Sequence, residues 1–299
     1  MSTGILAEAY ERLHHAGPQW GEAALTNHGP MLAEVLVRRG RSADVHRWLD
    51  GYLTRLDELP AAREAITSRS WPQALGDARR IGDWTAYFIR QVAERPWPDV
   101  LGAWWPRLLP GIVAGATHGV IRVGHAVHAL LAGEDGTSGV TELAHGLAFW
   151  AARFQPVPGT AVPAGRLDPA TALDSIPRLV DQRGTVAARF ARLPHLPSWT
   201  SSLTALRAPG GPDDARTALA DLVAAATLRY LSHGHGSPVL LVHAVTAPNA
   251  VLRTLPALPR ELWITSLTAA WAASAALTSA YAPHQPAEPA DQPQPPAGP

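Results

Sequence analysis

The sequence predicts an all-α fold in one irregular multi-helix domain, and three observations carry that prediction. Apolar residues recur at helical spacing along most of the 299-residue chain. The alternation of apolar and polar residues that is typical of strands is scarce, and no repeat of 20–50 residues is visible. The 28 prolines and 25 glycines limit most helices to about 10–18 residues, which favours irregular packing over a long four-helix bundle.

The first half of the chain contains the clearest helical patterns. Asn27 is placed to cap a helix that has Pro30 in its first turn. Pro60 follows a third helix, and Gly111 and Gly115 separate two strongly apolar ones. The predicted helices cover residues 5–13, 43–56, 81–92, 100–113, 117–131 and 140–154, and the helix capped by Asn27 has Met31, Val35 and Leu36 on its apolar side.

The second half is more often interrupted. Residues 155–169 are rich in proline and glycine and predict an ordered loop or a lid. Weaker helices are predicted over 176–193 and 215–231, and the apolar run 239–245 is assigned to helix because its surroundings are rich in alanine. Residues 262–281 carry no charge, but their serines and threonines indicate a buried core helix rather than a membrane span. The predicted folded domain is therefore 1–281, followed by a disordered proline-rich tail over 282–299.

Composition excludes several kinds of chemistry. The chain has no cysteine, which excludes disulfides, thiolate metal sites and iron–sulfur clusters. All 25 basic residues are arginine, so Schiff-base chemistry and a P-loop lysine are excluded as well. The net charge is zero, so the chain lacks the general basic character of a protein that binds nucleic acid or an anionic membrane. No secretory signal is visible, and we expect a cytoplasmic protein with neither partner.

Histidines within apolar sequence are the main candidates for chemistry, because no dinucleotide, P-loop, Gly-x-Ser-x-Gly or His-Glu-x-x-His motif is present. Each is flanked by glycine or alanine, which leaves space beside the ring. Such imidazoles suit a metal site, a pocket for a flat ligand, or a core position with a hydrogen bond to a carbonyl. The candidates are His28, His118, His125, His145 and His243.

Helix geometry limits how these side chains combine. His118, Arg122 and His125 share one helix face, but seven residues rise about 10 Å, which is long for two imidazoles on one metal. Arg122 lies among apolar residues, where an unpaired charge is costly. Two roles stay open for it: an ion pair with a carboxylate such as Glu142, or contact with an oxyanion or a polarised ketone of a ligand.

A competing pattern is Glu-x-x-His, which occurs at Glu11 and His14 and again at Glu142 and His145. This is the spacing used by di-iron carboxylate bundles. Such a site requires further carboxylates, for which Glu34 is the candidate, and it requires Glu11 and Glu142 to face a common core.

Four short segments, taken in order, resemble the questin oxidase-like family. They are Asn-His-Gly-Pro-Met at 27–31, His-Gly-Val-Ile-Arg at 118–122, Glu-Leu-Ala-His-Gly-Leu-Ala-Phe-Trp-Ala at 142–151 and His-Ala-Val-Thr-Ala-Pro at 243–248. The resemblance extends from about residue 6 to residue 281. It implies an α-helical oxygenase that cleaves, or inserts oxygen into, an aromatic polyketide ketone of the anthraquinone type, with a Baeyer–Villiger-type outcome among the possibilities.

The resemblance also implies a cofactor and site residues. A non-haem Fe(II) would be held by His28, His118 and His243, with His125 as a further ligand and His145 in support. Arg122 and His145 would be catalytic, with Arg122 stabilising a phenolate or enolate of the substrate. The partners would be a small aromatic substrate and O2, and NADPH enters only through the family. The carbamylated lysine of a related member has no counterpart here, and a metal-free protein that binds an aromatic metabolite is the alternative.

Overall fold

A computed structural model describes residues 3–134 and 136–288. The structure is 65% helical, which confirms the all-α prediction. The described chain contains one sheet, an antiparallel hairpin of β1 (Gln19–Trp20) and β2 (Leu25–Thr26). The chain groups into two compact units. Unit 1 covers Met1–Pro156 and Arg253–Pro259, and unit 2 covers Val157–Leu252 and Arg260–Pro299, as far as these residues are described.

Unit 1 contains eight of the described α-helices, and most of the predicted ones begin and end within a few residues of their expected bounds. The helix predicted to extend to residue 113 stops at Leu108 and continues as a 3-10 turn over Leu109–Gly111. The helices are α1 (Thr3–Leu13), α2 (Gly29–Arg38), α3 (Ser42–Leu53), α4 (Trp71–Ala74), α5 (Ile81–Glu94), α6 (Trp97–Leu108), α7 (His118–Leu131) and α8 (Thr137–Ala152).

Helices α5, α7 and α8 form the centre of unit 1, and glycines allow α7 and α8 to pack closely. A Cβ at Gly119 would lie 2.9 Å from the Trp150 Cα, and one at Gly146 would lie 3.2 Å from Val123 Cγ2. Neither position has room for a side chain without a shift of its neighbours. The Gly119 contact fixes the first turn of α7, which carries His118, against the last turn of α8.

Tryptophans fill part of the core of unit 1. Trp104, Trp105 and Trp150 are fully buried. Trp104 packs edge-to-face on Trp84 with ring centroids 5.6 Å apart, and Trp105 on Trp150 at 5.3 Å. The Trp150 indole donates a hydrogen bond to the Gly111 carbonyl at 2.9 Å, which joins α8 to the end of the α6 segment.

Unit 2 is built around its last helix, which is buried over most of its length. This confirms the core helix predicted over 262–281. The Trp271 indole donates to the Leu203 carbonyl at 2.9 Å, and Ser274 Oγ donates to the Ala244 carbonyl at 2.8 Å. The helices are α9 (Pro169–Asp174), α10 (Val186–Phe190), α11 (Trp199–Ala205), α12 (Pro212–His233), α13 (Pro238–Leu241), α14 (His243–Thr254) and α15 (Trp263–Tyr281). The last two residues of α14 are assigned to unit 1.

The helix predicted over 176–193 is wrong, because only Val186–Phe190 is α-helical there. Pro177 lies at its start, and Gly184 has a φ of +94°, which no continuous right-handed helix allows. The segment is held by long-range bonds instead, including one from the Leu179 N–H to the Ser279 carbonyl at 2.9 Å.

The first residues of the predicted tail are ordered but not helical. Residues 282–288 have no regular structure, but Ala282 is buried and the Ala287 N–H donates to the Ser232 carbonyl at 2.7 Å. The rest of the predicted tail, 289–299, lies outside the described residues. Among the described helical segments, Pro238–Ala257 has the length and apolar composition of a membrane span, with a mean hydropathy of 1.2 and half of it buried.

Candidate functional site

Two of the predicted histidines meet in unit 1. His28 directly precedes α2 and His118 begins α7, and their Nε2 atoms lie 3.0 Å apart with the rings edge-to-face. His118 is buried, whereas His28 is exposed. The pair therefore has one ring fixed within the unit and one ring at the surface.

Each ring of the pair has a second hydrogen bond that restricts its protonation. The His118 Nδ1 lies 2.6 Å from the Gly115 carbonyl, which only accepts, so Nδ1 carries the proton and the neutral ring has a lone pair on Nε2. Desolvation lowers the pKa of His28, and a hydrogen bond to the Thr26 backbone opposes that shift. Lone pairs of two neutral rings would repel at 3.0 Å, so this arrangement requires a proton or a cation between the nitrogens.

A left-handed turn precedes α7 and positions the Gly115 carbonyl. Gly115, Ala116 and Thr117 have φ values of 54°, 55° and 73°. The left-handed conformation costs an alanine or threonine roughly 1–2 kcal/mol each. The Thr117 hydroxyl is also fully buried, and it has no hydrogen-bond partner among the described residues. Thr117, next to His118, therefore has both a strained backbone and a buried hydroxyl without a hydrogen bond within the described residues. Such strain is typical of functional segments.

His125 belongs to a different cluster, so the structure does not bring it to the His28–His118 pair. Its Nδ1 lies 2.8 Å from Glu34 Oε2, and the His128 Nδ1 lies 2.8 Å from Glu34 Oε1. The Arg38 Nε lies 3.3 Å from the same carboxylate. Glu34 is buried, and burial by itself raises the pKa of its carboxyl group. Hydrogen bonds and charge interactions with His125 and His128 outweigh that effect, so the pKa of Glu34 is lowered.

Arg122 forms a buried ion pair with Glu142, one of the two roles that the sequence leaves open. The Arg122 Nε and Nη2 donate to the two Glu142 oxygens at 2.6 and 2.9 Å, and both side chains are about 2% exposed or less. Burial alone would raise the pKa of Glu142, but Arg122 and His14 together lower it to about 2.

His145 lies beside this pair and is almost completely buried. Its ring stacks on His14 with centroids 4.8 Å apart. Desolvation, assisted by the charge of Arg122, lowers the pKa of His145 to about 3. The ring is therefore neutral at physiological pH, where it accepts a proton poorly and is not a proton donor in the imidazolium form.

The other predicted site residues are His243, Glu11 and Glu142. His243 begins α14 in unit 2 and is buried. Glu11 is exposed and accepts a hydrogen bond from Ser138, while Glu142 is buried against Arg122, so the two do not face a common core as the di-iron alternative requires. Within residues 3–134 and 136–288, no group of three or more His, Asp or Glu is arranged to hold a metal ion.

Comparison with known proteins adds no relative. No family model matches this chain, no curated protein matches it, and no solved structure matches its fold. The resemblance to the questin oxidase-like family accordingly depends on the four motifs alone. Two of those motifs supply the two rings of the His28–His118 pair.

Proposed function

We propose that this chain is a non-haem iron oxygenase of the questin oxidase-like kind, acting on an aromatic polyketide ketone. The observation that supports it best is the 3.0 Å separation of the His28 and His118 Nε2 atoms. Fe(II), when bound, supplies a place for O2 and the electrons that activate it. The substrate class comes from the family resemblance.

The donor set fits a metal in two respects. Imidazole nitrogens bind such ions at about 2.0–2.1 Å, so two neighbouring ligands lie about 3 Å apart. A ligating histidine also commonly donates its other N–H to a carbonyl, as His118 does to Gly115. His28 and His118 would hold the metal, and His243 stays a predicted ligand from the resemblance. His125, tied to Glu34, is not included in the set that we propose.

The chain's own residues have defined tasks in this proposal. The Gly115 carbonyl keeps the His118 proton on Nδ1 and so keeps Nε2 available. The exposed edge of His28 leaves the pair open to a substrate. Arg122 would contact a phenolate only by giving up Glu142, so we assign it to holding Glu142 and the neighbouring His14 and His145 in place.

Metal analysis tests the proposal directly. Untagged protein expressed with added iron is compared with His28→Ala and His118→Ala, and with His195→Ala as a control because His195 is exposed in unit 2. We expect near-stoichiometric iron in the wild type and the control, and at least a tenfold loss in the other two. Oxygen consumption with a hydroxyanthraquinone should follow the iron content.

The contrary result identifies the alternative. If folded wild-type protein holds no iron and still binds the hydroxyanthraquinone without consuming oxygen, the chain is a metal-free binding protein. His28 and His118 would then act as hydrogen-bonding groups.

A further inference from the structure

Unit 1 has a cavity that the histidine pair does not use. Its volume is about 200 Å³, and its walls include Ile81 of α5 together with Phe149 and Arg153 at the end of α8. Phe149 is 1% exposed and Ile81 8%, so the inner wall is apolar. Asp57 and Glu58 also line the cavity, and both are exposed. The cavity is therefore apolar inside, with one cation in its wall and two carboxylates at its rim.

Arg153 is half-buried and differs from the fully buried Arg122 of the same unit. Arg122 is paired with Glu142, whereas Arg153 makes no side-chain hydrogen bond or ion pair within the described part of the chain. Desolvation is the cause that lowers the pKa of Arg153, and no carboxylate offsets it. A half-buried guanidinium without an anion is an unfavourable arrangement, which a bound anion would relieve.

From this cavity we infer a binding site for a small aromatic monocarboxylate, independent of the proposed iron chemistry. A guanidinium matches a carboxylate through two parallel N–H···O bonds. Phe149 provides an aromatic wall on which a ring packs. A cavity of about 200 Å³ is small for a drug-sized ligand and suits a single ring.

The rim determines which anions enter. Asp57 and Glu58 repel ligands with a second negative charge more strongly than they repel a monoanion. The Asp57 carboxylate is held there by the Gly21 N–H, which donates to Oδ2 at 3.1 Å. Phosphates and dicarboxylates are therefore poorer ligands than benzoate.

Titration calorimetry on the full chain tests the site with benzoate as the probe. We expect one benzoate per chain, with benzamide, its neutral analogue, and phthalate, a dianion, each binding at least tenfold more weakly. Arg153→Gln should weaken benzoate at least tenfold. Arg69→Gln, which removes an exposed arginine of the same unit, should leave benzoate binding unchanged.

A variant that is expected to bind more tightly is included because Arg153→Gln could lose benzoate binding through misfolding alone. Glu58→Gln changes an exposed rim residue and should strengthen phthalate several-fold more than benzoate. Circular dichroism verifies that each variant is folded. The inference is overturned if folded wild-type protein does not bind benzoate at millimolar concentration, if folded Arg153→Gln binds it as the wild type does, or if benzamide or phthalate binds as tightly.

Discussion

The buried ion pair of Arg122 and Glu142 shows how the free-energy cost of burying one charge is offset by the position of another. A guanidinium among apolar residues needs a carboxylate, and Glu142 supplies both oxygens from twenty residues away. Removing one partner of such a pair typically costs about 3–5 kcal/mol, because the other charge stays buried. The sequence could name this pairing as an alternative, because burial of an arginine follows from its neighbours.

The pKa of His145 makes stability depend on pH. The folded-state pKa is about 3, below the usual 6.5 of an unfolded chain. As the pH falls below 6.5, the unfolded chain takes up a proton that folded His145 does not, so stability is lost down to about pH 3. The contribution reaches about 1.4 kcal/mol per pH unit. Urea unfolding at pH 7, 6 and 5 should show a smaller loss for His145→Gln than for the wild type.

The control for this experiment is His195→Ala, whose exposed side chain should leave the slope unchanged. The window also avoids Glu142, since its pKa of about 2 makes its contribution disappear only below about pH 4.5. If stability falls equally with pH in the wild type and in His145→Gln, the lowered pKa of His145 is not the cause of the pH dependence.

The contact of His125 with Glu34 could not be predicted from the residues around either one. Glu34 and His125 are 91 residues apart in the chain, and nothing in either local pattern indicates that α2 faces α7 there. Helical spacing does show that His118 and His125 are too far apart to share a metal easily. The separation into two clusters agrees with that geometric argument.

At the scale of elements, helical period predicted the long helices well and the short ones poorly. α1, α5 and α7 begin and end within two residues of the predicted bounds. α4 and α11 have four and seven residues, which is too short for a period to be recognised. The segment 176–193 has apolar residues at helical spacing, but Pro177 and the positive φ of Gly184 prevent one continuous helix.

The strained turn before α7 should lower the stability of the protein while it supports the proposed iron site. Thr117→Gly removes a left-handed β-branched residue and a buried hydroxyl, against the backbone entropy that glycine adds to the unfolded chain. We expect a net gain of about 1 kcal/mol in the free energy of unfolding. Because a looser turn holds the Gly115 carbonyl less firmly, iron retention should fall several-fold.

Thr117→Ala is the matched control, since it removes the hydroxyl and keeps the positive φ. Thermal unfolding should rank the glycine variant above the alanine variant. A glycine variant that is less stable than the alanine variant would show that the turn is not strained.

Viewed as a whole molecule, the chain balances 25 arginines against 25 acidic residues and adds 13 histidines. This balance, with a sequence pI near 7.3, was fully readable from composition. The division into two compact units was not, because it depends on which helices contact one another across long separations. Composition therefore predicts properties of the surface better than it predicts the partition of the core.

Solubility is the property that this charge balance governs. Near pH 7 the molecule has almost no net charge, so repulsion between copies is weakest there. Histidine ordinarily gains a proton below about pH 6.5, where carboxylates stay ionised. Desolvation lowers the pKa of His28, His145 and His233, so these three contribute less charge at pH 5.5. The net charge therefore becomes positive on acidification. Precipitation by polyethylene glycol should require the least polymer near pH 7 and more at pH 5.5, provided that the protein is still folded by circular dichroism. Equal precipitation at both values would mean that apolar patches, rather than charge, control association of this molecule.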